Sequence, residues 1–236
     1  LSGILSLSMK AWRFYGFGDL RLDEVEMPEL KARHVLVQVL VVQPSVTEAQ
    51  LAAGVRTLAF EKIKKRLETE APVQLFGHEF CVRIVEVGAG VSRFKVGDRV
   101  AARAKLPCES CPLCVSGRGH LCRKGPIIGF QLPGCFCEYA VLPEIALTMV
   151  DDRISDSEAA CLQSLSDSVA SVETADIQIG NSVAILGQGS MGLQCMQIAR
   201  VSGAGRIITV DVRDEACAMS KELGADYALN AKSVDP

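Results

Sequence analysis

Four cysteines in CESCPLCVSGRGHLC, namely Cys108, Cys111, Cys114 and Cys122, stand two, two and seven residues apart. Four thiolates in one short lobe satisfy a tetrahedral zinc and leave no open position, which is the chemistry of a structural metal site. The start is shared with the C-x2-C-x2-C of bacterial ferredoxins, but the C-x3-C-P continuation is absent. His120 falls in the same lobe; with four cysteines closing the shell, it is expected at the surface.

A second chemistry lies in Gly187-Gln188-Gly189-Ser190-Met191-Gly192, which follows the apolar run SVAILG and opens a helical pattern. Glycines at these positions permit a tight turn, close approach of a pyrophosphate, and packing of helix on strand, while the helix start supplies free N–H groups. Asp211 closes the next strand-like run, nineteen residues past Gly192. A carboxylate there accepts hydrogen bonds from ribose hydroxyls and repels a 2′-phosphate. NAD is therefore expected ahead of NADP, with Arg213 nearby softening the preference.

The third is FGHEF at 76 to 80, where His78 sits beside Glu79. Such a pair is either a satisfied core or rim contact or part of a metal site, and the pair by itself does not separate the two.

These residues need a scaffold. From Met9 to about residue 150 the chain runs in short β-rich stretches, MKAWRF, VLVQVLVV, CVRIVEV, DRVAARA and CFCEYAVL, parted by turn residues such as Gly88, Gly97 and Gly134. The pattern predicts a barrel-like β domain over 9–154, with the cysteine lobe at 108–122. From 155 the texture turns to longer helical patterns: SDSEAACLQSLSDSVASVETA with Ser155 or Asp156 as N-cap, then strand, helix, strand, helix and strand to DYALN, with Gly224 ending the last helix. This βαβαβ run predicts an α/β second domain over 155–236.

Bulk properties exclude several classes. With 236 residues and 49% hydrophobic content the chain supports a packed core, and a net charge of −3 without a basic block argues against nucleic acid as a partner. No apolar stretch approaches the roughly 20 residues needed to cross a bilayer, so no membrane is expected. The opening LSGILSLS has neither a cationic start nor a cleavage site, and residues 1–8 are expected to be an extension. Ten cysteines without a secretory signal point to a reducing, cytoplasmic setting.

In their order, the GHE element, the four-cysteine lobe and the GxGxxG turn resemble the zinc-containing medium-chain dehydrogenase/reductase family, the alcohol and polyol dehydrogenases. VGAGVSRFKVGDRV and GCFCEYAVLP are similar to that family's barrel segments. The resemblance runs from Met9 to the end and implies a GroES-like catalytic domain followed by the first half of a Rossmann domain. It also implies a longer parent, the present chain stopping just past the third Rossmann strand and leaving a sheet edge unpaired.

The family holds a catalytic zinc with a Cys in the first third, the GHE histidine, and a later Cys, Glu or Gln. His78 and Glu79 match, and Gln163 falls on the third position. The segment corresponding to CGSDxH is Ser45-Val46-Thr47-Glu48-Ala49-Gln50, so Ser45 stands where the cysteine belongs. Thr47 retains the hydroxyl that starts the proton relay, whereas Gln50 replaces a relay histidine and cannot exchange a proton near neutral pH. Together Ser45, His78, Gln163 and Glu79 bring Zn²⁺ at most one negative charge, so binding is expected to weaken and any zinc retained to be the stronger Lewis acid. Cys161 is the one thiol near enough in sequence to stand in.

The expected activity of the parent is NAD-dependent hydride transfer between nicotinamide and an alcohol, polyol or sugar, zinc-assisted, in a homodimer or homotetramer, with this fragment inactive alone. The alternative is an NAD(P)-binding reductase or sensor that keeps only the structural zinc. A zinc scaffold module would require the glycine turn to be accidental.

Overall fold

The computed structural model describes residues 8–57 and 59–234; of the extension expected over 1–8, residues 1–7 lie outside the described residues, whereas Ser8 opens the first strand, paired with Glu26. The chain forms two compact units that divide between Gln163 and Ser164. In the first, β1 (Ser8–Gly16) and β2 (Asp19–Glu26) make an antiparallel hairpin. There follow β3 (His34–Gln43), α1 (Val46–Ala52), α2 (Phe60–Glu70), β4 (Glu79–Val87), β5 (Arg99–Ala102), α3 (Pro112–Val115), β6 (Tyr139–Pro143), β7 (Leu147–Met149) and α4 (Asp156–Ala160). Strands β6-β3-β4-β5-β7 lie side by side in one antiparallel sheet.

Branched residues build that sheet because they fill a pleated surface well. Val35, Val37, Phe80, Val82, Ile84, Val100, Leu142 and Leu147 form its buried core. A second core gathers Phe14, Leu51, Phe60, Ile63, Leu75, Phe76 and Phe130, with the Phe17 and Phe60 rings stacked at 4.7 Å and Phe14 edge-on to Phe76 at 5.3 Å. These rings hold α1, α2 and the segment leading into His78.

The second unit contains α5 (Leu162–Thr174) for all but its first two residues, then β8 (Ser182–Leu186), α6 (Ser190–Val201), β9 (Arg206–Asp211), α7 (Asp214–Glu222) and β10 (Tyr227–Asn230). The three strands are parallel in the order β10-β9-β8, so the βαβαβ reading of the sequence holds. Val172, Met196, Ala199, Ala204, Ile207 and Ala225 form its core.

Several local expectations change. The helical pattern from 155 divides at Cys161 into α4 and α5, with Ser155 rather than Asp156 as N-cap, in a reciprocal box with Glu158. The units part later than 154/155, because Ala159 and Ala160 pack with Cys81, Ala101 and Val150 of the first unit. The segment between α1 and β4 contains α2, whose Phe60 and Ile63 are buried. In CFCEYAVL only the part from Tyr139 is strand; Cys135 and Phe136 instead bond singly, Cys135 N–H to Gly77 O and Trp12 N–H to Phe136 O, both at 2.8 Å.

Phe80 is fully buried in the sheet core directly after Glu79. Phe80→Ala is expected to cost the first unit about 3–5 kcal/mol, read as a lower denaturant midpoint at unchanged slope.

Candidate active site and metal centre

The cysteine lobe is built from local turns. Cys111 is the N-cap of α3, Pro112 follows in its first turn, and the short helix then carries Cys114 to the same side. All four sulfurs lie within 4.8 Å of one another, with Cys111–Cys114 at 3.5 Å, Cys108–Cys114 at 3.9 Å and Cys111–Cys122 at 4.0 Å. A zinc with roughly 2.3 Å bonds sets tetrahedral sulfurs about 3.8 Å apart, so the set fits the ion.

Backbone N–H groups already favour thiolates here. The amide and hydroxyl of Ser110 and the amide of Cys111 bring Cys108 down to about 6, and the amides of Cys108, Lys124 and Gly125 lower Cys122. Desolvation and the neighbouring sulfurs push Cys114 up to about 11. A dication resolves that conflict by letting all four ionise. His120 is exposed, as expected.

At His78 the structure supplies a partner that the motif reading passed over. Nδ1 lies 2.6 Å from Glu48 Oε1, an oxygen that also accepts the Gly77 N–H at 2.7 Å. Glu48 is 2% exposed. Burial works to raise its pKa, but the hydrogen bond and charge of His78, with the Ser45 and Gly77 amides, overcome this and leave it lowered. An ionised carboxylate only accepts, so Nδ1 carries a hydrogen. Nε2 faces Glu79 Oε1 at 3.7 Å. The other Glu79 oxygen accepts from Gln43 Nε2 at 2.6 Å, and Gln43 Oε1 accepts from the Cys161 thiol at 2.7 Å. Burial, then the Glu79 charge, raises the Cys161 pKa and keeps it a donor.

Ser45 has a structural task. It is the N-cap of α1: its Oγ accepts the Glu48 N–H at 3.1 Å, while its own N–H donates to Glu48 Oε2 at 3.0 Å. Thr47 and Gln50 are exposed on α1, and Gln163 is half-buried in the first turn of α5. Among the described residues, the four lobe cysteines are the one group of three or more His, Cys, Asp or Glu side chains close enough to hold a metal. Around His78 the structure brings together an imidazole and two carboxylates, Glu48 on Nδ1 and Glu79 facing Nε2, while Ser45 Oγ accepts the Glu48 N–H. Glu48 and Gln43 are the residues that sequence reasoning missed. The Ser45-x-x-Glu48 capping-box spacing was a usable signal for the first; nothing local marked the second.

In the second unit, Gly187 turns at φ +86°, and a Cβ on Gly192 would stand 1.9 Å from the Gly187 carbonyl oxygen. Gly192 is thus required by helix packing. A Cβ at Gly189 would meet nothing within 4 Å, so that glycine leaves open space over the start of α6, where no side chain caps the helix. Uncapped N–H groups beneath open space fit a pyrophosphate.

Asp211 ends β9, as expected, but is already engaged. Its Oδ2 accepts the Gln188 N–H at 2.6 Å, its Oδ1 accepts the Val212 and Arg213 N–H groups at 2.8 and 3.0 Å, and the Arg213 guanidinium spans both oxygens at 3.2 and 3.4 Å. Arg213 first, then the Gln188 amide, hold the carboxyl far below its ordinary 3.8.

Residues 31–152 match the alcohol dehydrogenase GroES-like domain, and residues 190–236 match the zinc-binding dehydrogenase family. An L-threonine 3-dehydrogenase of Francisella philomiragia is 32% identical over 89% of this chain and 57% of its own length. A dehydrogenase of Sinorhizobium meliloti 1021, described as zinc-binding and solved with NADP, is 29% identical with a TM-score of 0.85 over 97% of this chain and 63% of that one. Galactitol-1-phosphate dehydrogenase from Escherichia coli is 27% identical with a TM-score of 0.82 over 96% and 62%. The chain belongs to the zinc-dependent alcohol dehydrogenase family, with a GroES-like first domain and a Rossmann-type second. It spans under two thirds of the length of these relatives.

Two outcomes follow from the geometry. Cys122→Ser is expected to lose one zinc equivalent per chain by atomic emission. Asp211 is depressed in the folded state, so its stabilisation is complete above pH 3.8 and drains away as pH falls through the folded value. The stability gap between wild type and Asp211→Asn, followed by acid titration, is expected to narrow below pH 3.8.

Proposed function

We propose that the protein acts as an oxidoreductase that moves hydride between a nicotinamide dinucleotide and the carbinol carbon of an alcohol, polyol or sugar. The observation that carries this reading is the open, uncapped start of α6 above Gly189, with Asp211 beyond it. NAD is the proposed cofactor, because a carboxylate held ionised by its surroundings opposes a 2′-phosphate. Arg213 is committed to that carboxylate. Bound there, the nicotinamide would accept or supply the hydride.

His78 is the proposed polar centre for the substrate oxygen. With Nδ1 fixed on Glu48, its Nε2 takes a proton as an alcohol is oxidised and returns it to the carbonyl oxygen on reduction. Thr47 is the proposed relay hydroxyl, and its exposure on α1 leaves it open to solvent exchange. Cys108, Cys111, Cys114 and Cys122 would hold a structural zinc, which would supply folding energy and no chemistry to the reaction.

The commitment of Ser45 to capping α1 favours a second reading on the metal, with one zinc per chain and none at His78. The zinc-assisted form instead requires His78, Glu79, Gln163 and Ser45 to hold a second, weakly bound ion. Zinc counts on the parent protein after dialysis separate them: one equivalent supports the metal-free centre, two support the zinc-assisted one. If Ser45 is nonetheless within reach of a metal, Ser45→Cys raises retention of a second equivalent.

The dehydrogenase reading is tested by turnover. The parent protein is expected to reduce NAD with at least one alcohol or polyol. Asp211→Asn is expected to narrow the NAD to NADP ratio of kcat/KM by about tenfold or more, and failure of both cofactors to bind would overturn the reading. A cytoplasmic, oligomeric small-molecule enzyme is the setting proposed; among the described residues no helix is long and apolar enough to cross a membrane.

A further inference from the structure

The first unit carries a second concave, charged feature, made of residues that neither the metal lobe nor His78 uses. Helix α2 places Lys62, Lys65, Arg66 and Thr69 on one face, at the spacing of helical neighbours, while Phe60 and Ile63 anchor its opposite face in the aromatic core. Across from it, Arg123, Lys124, Gly125 and Pro126 form the other wall of a pocket of about 430 Å³.

Both walls are fixed. Gly125 N–H donates to Cys122 Sγ at 3.2 Å, so the turn bearing Arg123 and Lys124 is tied to the thiolate lobe. Arg66 donates from Nη1 to the Phe130 carbonyl at 2.7 Å and from Nε and Nη2 to Glu70 at 3.0 and 2.6 Å. Arg66 is thereby a positioned cation with its Nε, Nη1 and Nη2 each already donating, and Glu70, the one carboxylate in the lining, is spent on it.

Lys62, Lys65, Arg123 and Lys124 have no ion-pair partner among the described residues. Four unpaired cations around one concavity, in a chain whose net charge is −3, repel one another until an anion enters. A carboxylate would leave most of that charge unanswered. A phosphate dianion offers several acceptor oxygens to ammonium and guanidinium donors converging from two sides, and the volume suits a small molecule. We propose that this pocket binds the phosphate group of a small soluble phosphorylated compound, at a site separate from the glycine turn of the second unit.

The test is a titration of the full chain with inorganic phosphate and inorganic pyrophosphate, followed through backbone amide resonances. Saturable shifts at Lys65, Lys124 and Gly125 are expected, with affinity about tenfold or more weaker in Lys65→Glu/Lys124→Glu and unchanged in the Lys10→Glu/Lys31→Glu control. The site-resolved readout keeps this result independent of the dehydrogenase reading, since binding at the glycine turn moves Gly189 and Gly192 instead. Shifts confined to α6, non-saturating shifts at the pocket, or equal weakening in both variants would overturn the proposal. So would binding to phosphatidic acid vesicles without saturation by either soluble anion.

Discussion

One buried carboxylate organises the first unit's polar centre. Glu48 takes hydrogen bonds from the Ser45 and Gly77 amides and from His78 Nδ1. It joins the first turn of α1 to the segment that enters β4, across thirty positions of sequence. A charge this deeply buried is expensive unless fully satisfied. Satisfying it dictates where the helix starts, how the backbone turns at Gly77, and which face of the imidazole is offered outward. Beside it Gln43 donates to Glu79 and accepts from Cys161, each donor meeting an acceptor.

Backbone N–H groups recur as the protein's means of holding negative charge. Peptide amides lower the pKa of Cys108 and Cys122 in the lobe, stabilise Glu48 near His78, and clamp Asp211 beside the glycine turn. The start of α6, where no side chain caps the helix, offers the same kind of donor. A backbone donor is set by the fold and loses no side-chain entropy on use, which suits sites that must stay in register.

Legibility in the sequence followed the distance between partners. The four cysteines and the glycine turn are local, so spacing alone exposed their chemistry, and the structure assembles both as expected. The β-rich first half and the βαβαβ second half were legible from periodicity. Hidden from it were β2, whose DLRLDEVE is more charged than a strand pattern suggests, and α2, whose two buried anchors are scattered among lysines. The division at Cys161 was hidden too, because α4 follows the first unit's core and most of α5 the second's. At the His78 centre the residue types were visible but their partnership was not. Ser45, read as a weakened metal ligand, caps α1, and Glu48, overlooked inside the same six residues, is the partner of His78 Nδ1.

The central claim is that Glu48 holds His78 through a hydrogen on Nδ1. Long-range ¹H–¹⁵N correlation of the imidazole nitrogens in the intact chain tests it most directly. A protonated-type Nδ1 with a strongly deshielded, slowly exchanging hydrogen is the predicted result, and that hydrogen should disappear in Glu48→Ala. A neutral ring carrying its hydrogen on Nε2, with Nδ1 as the unprotonated nitrogen, would contradict the account.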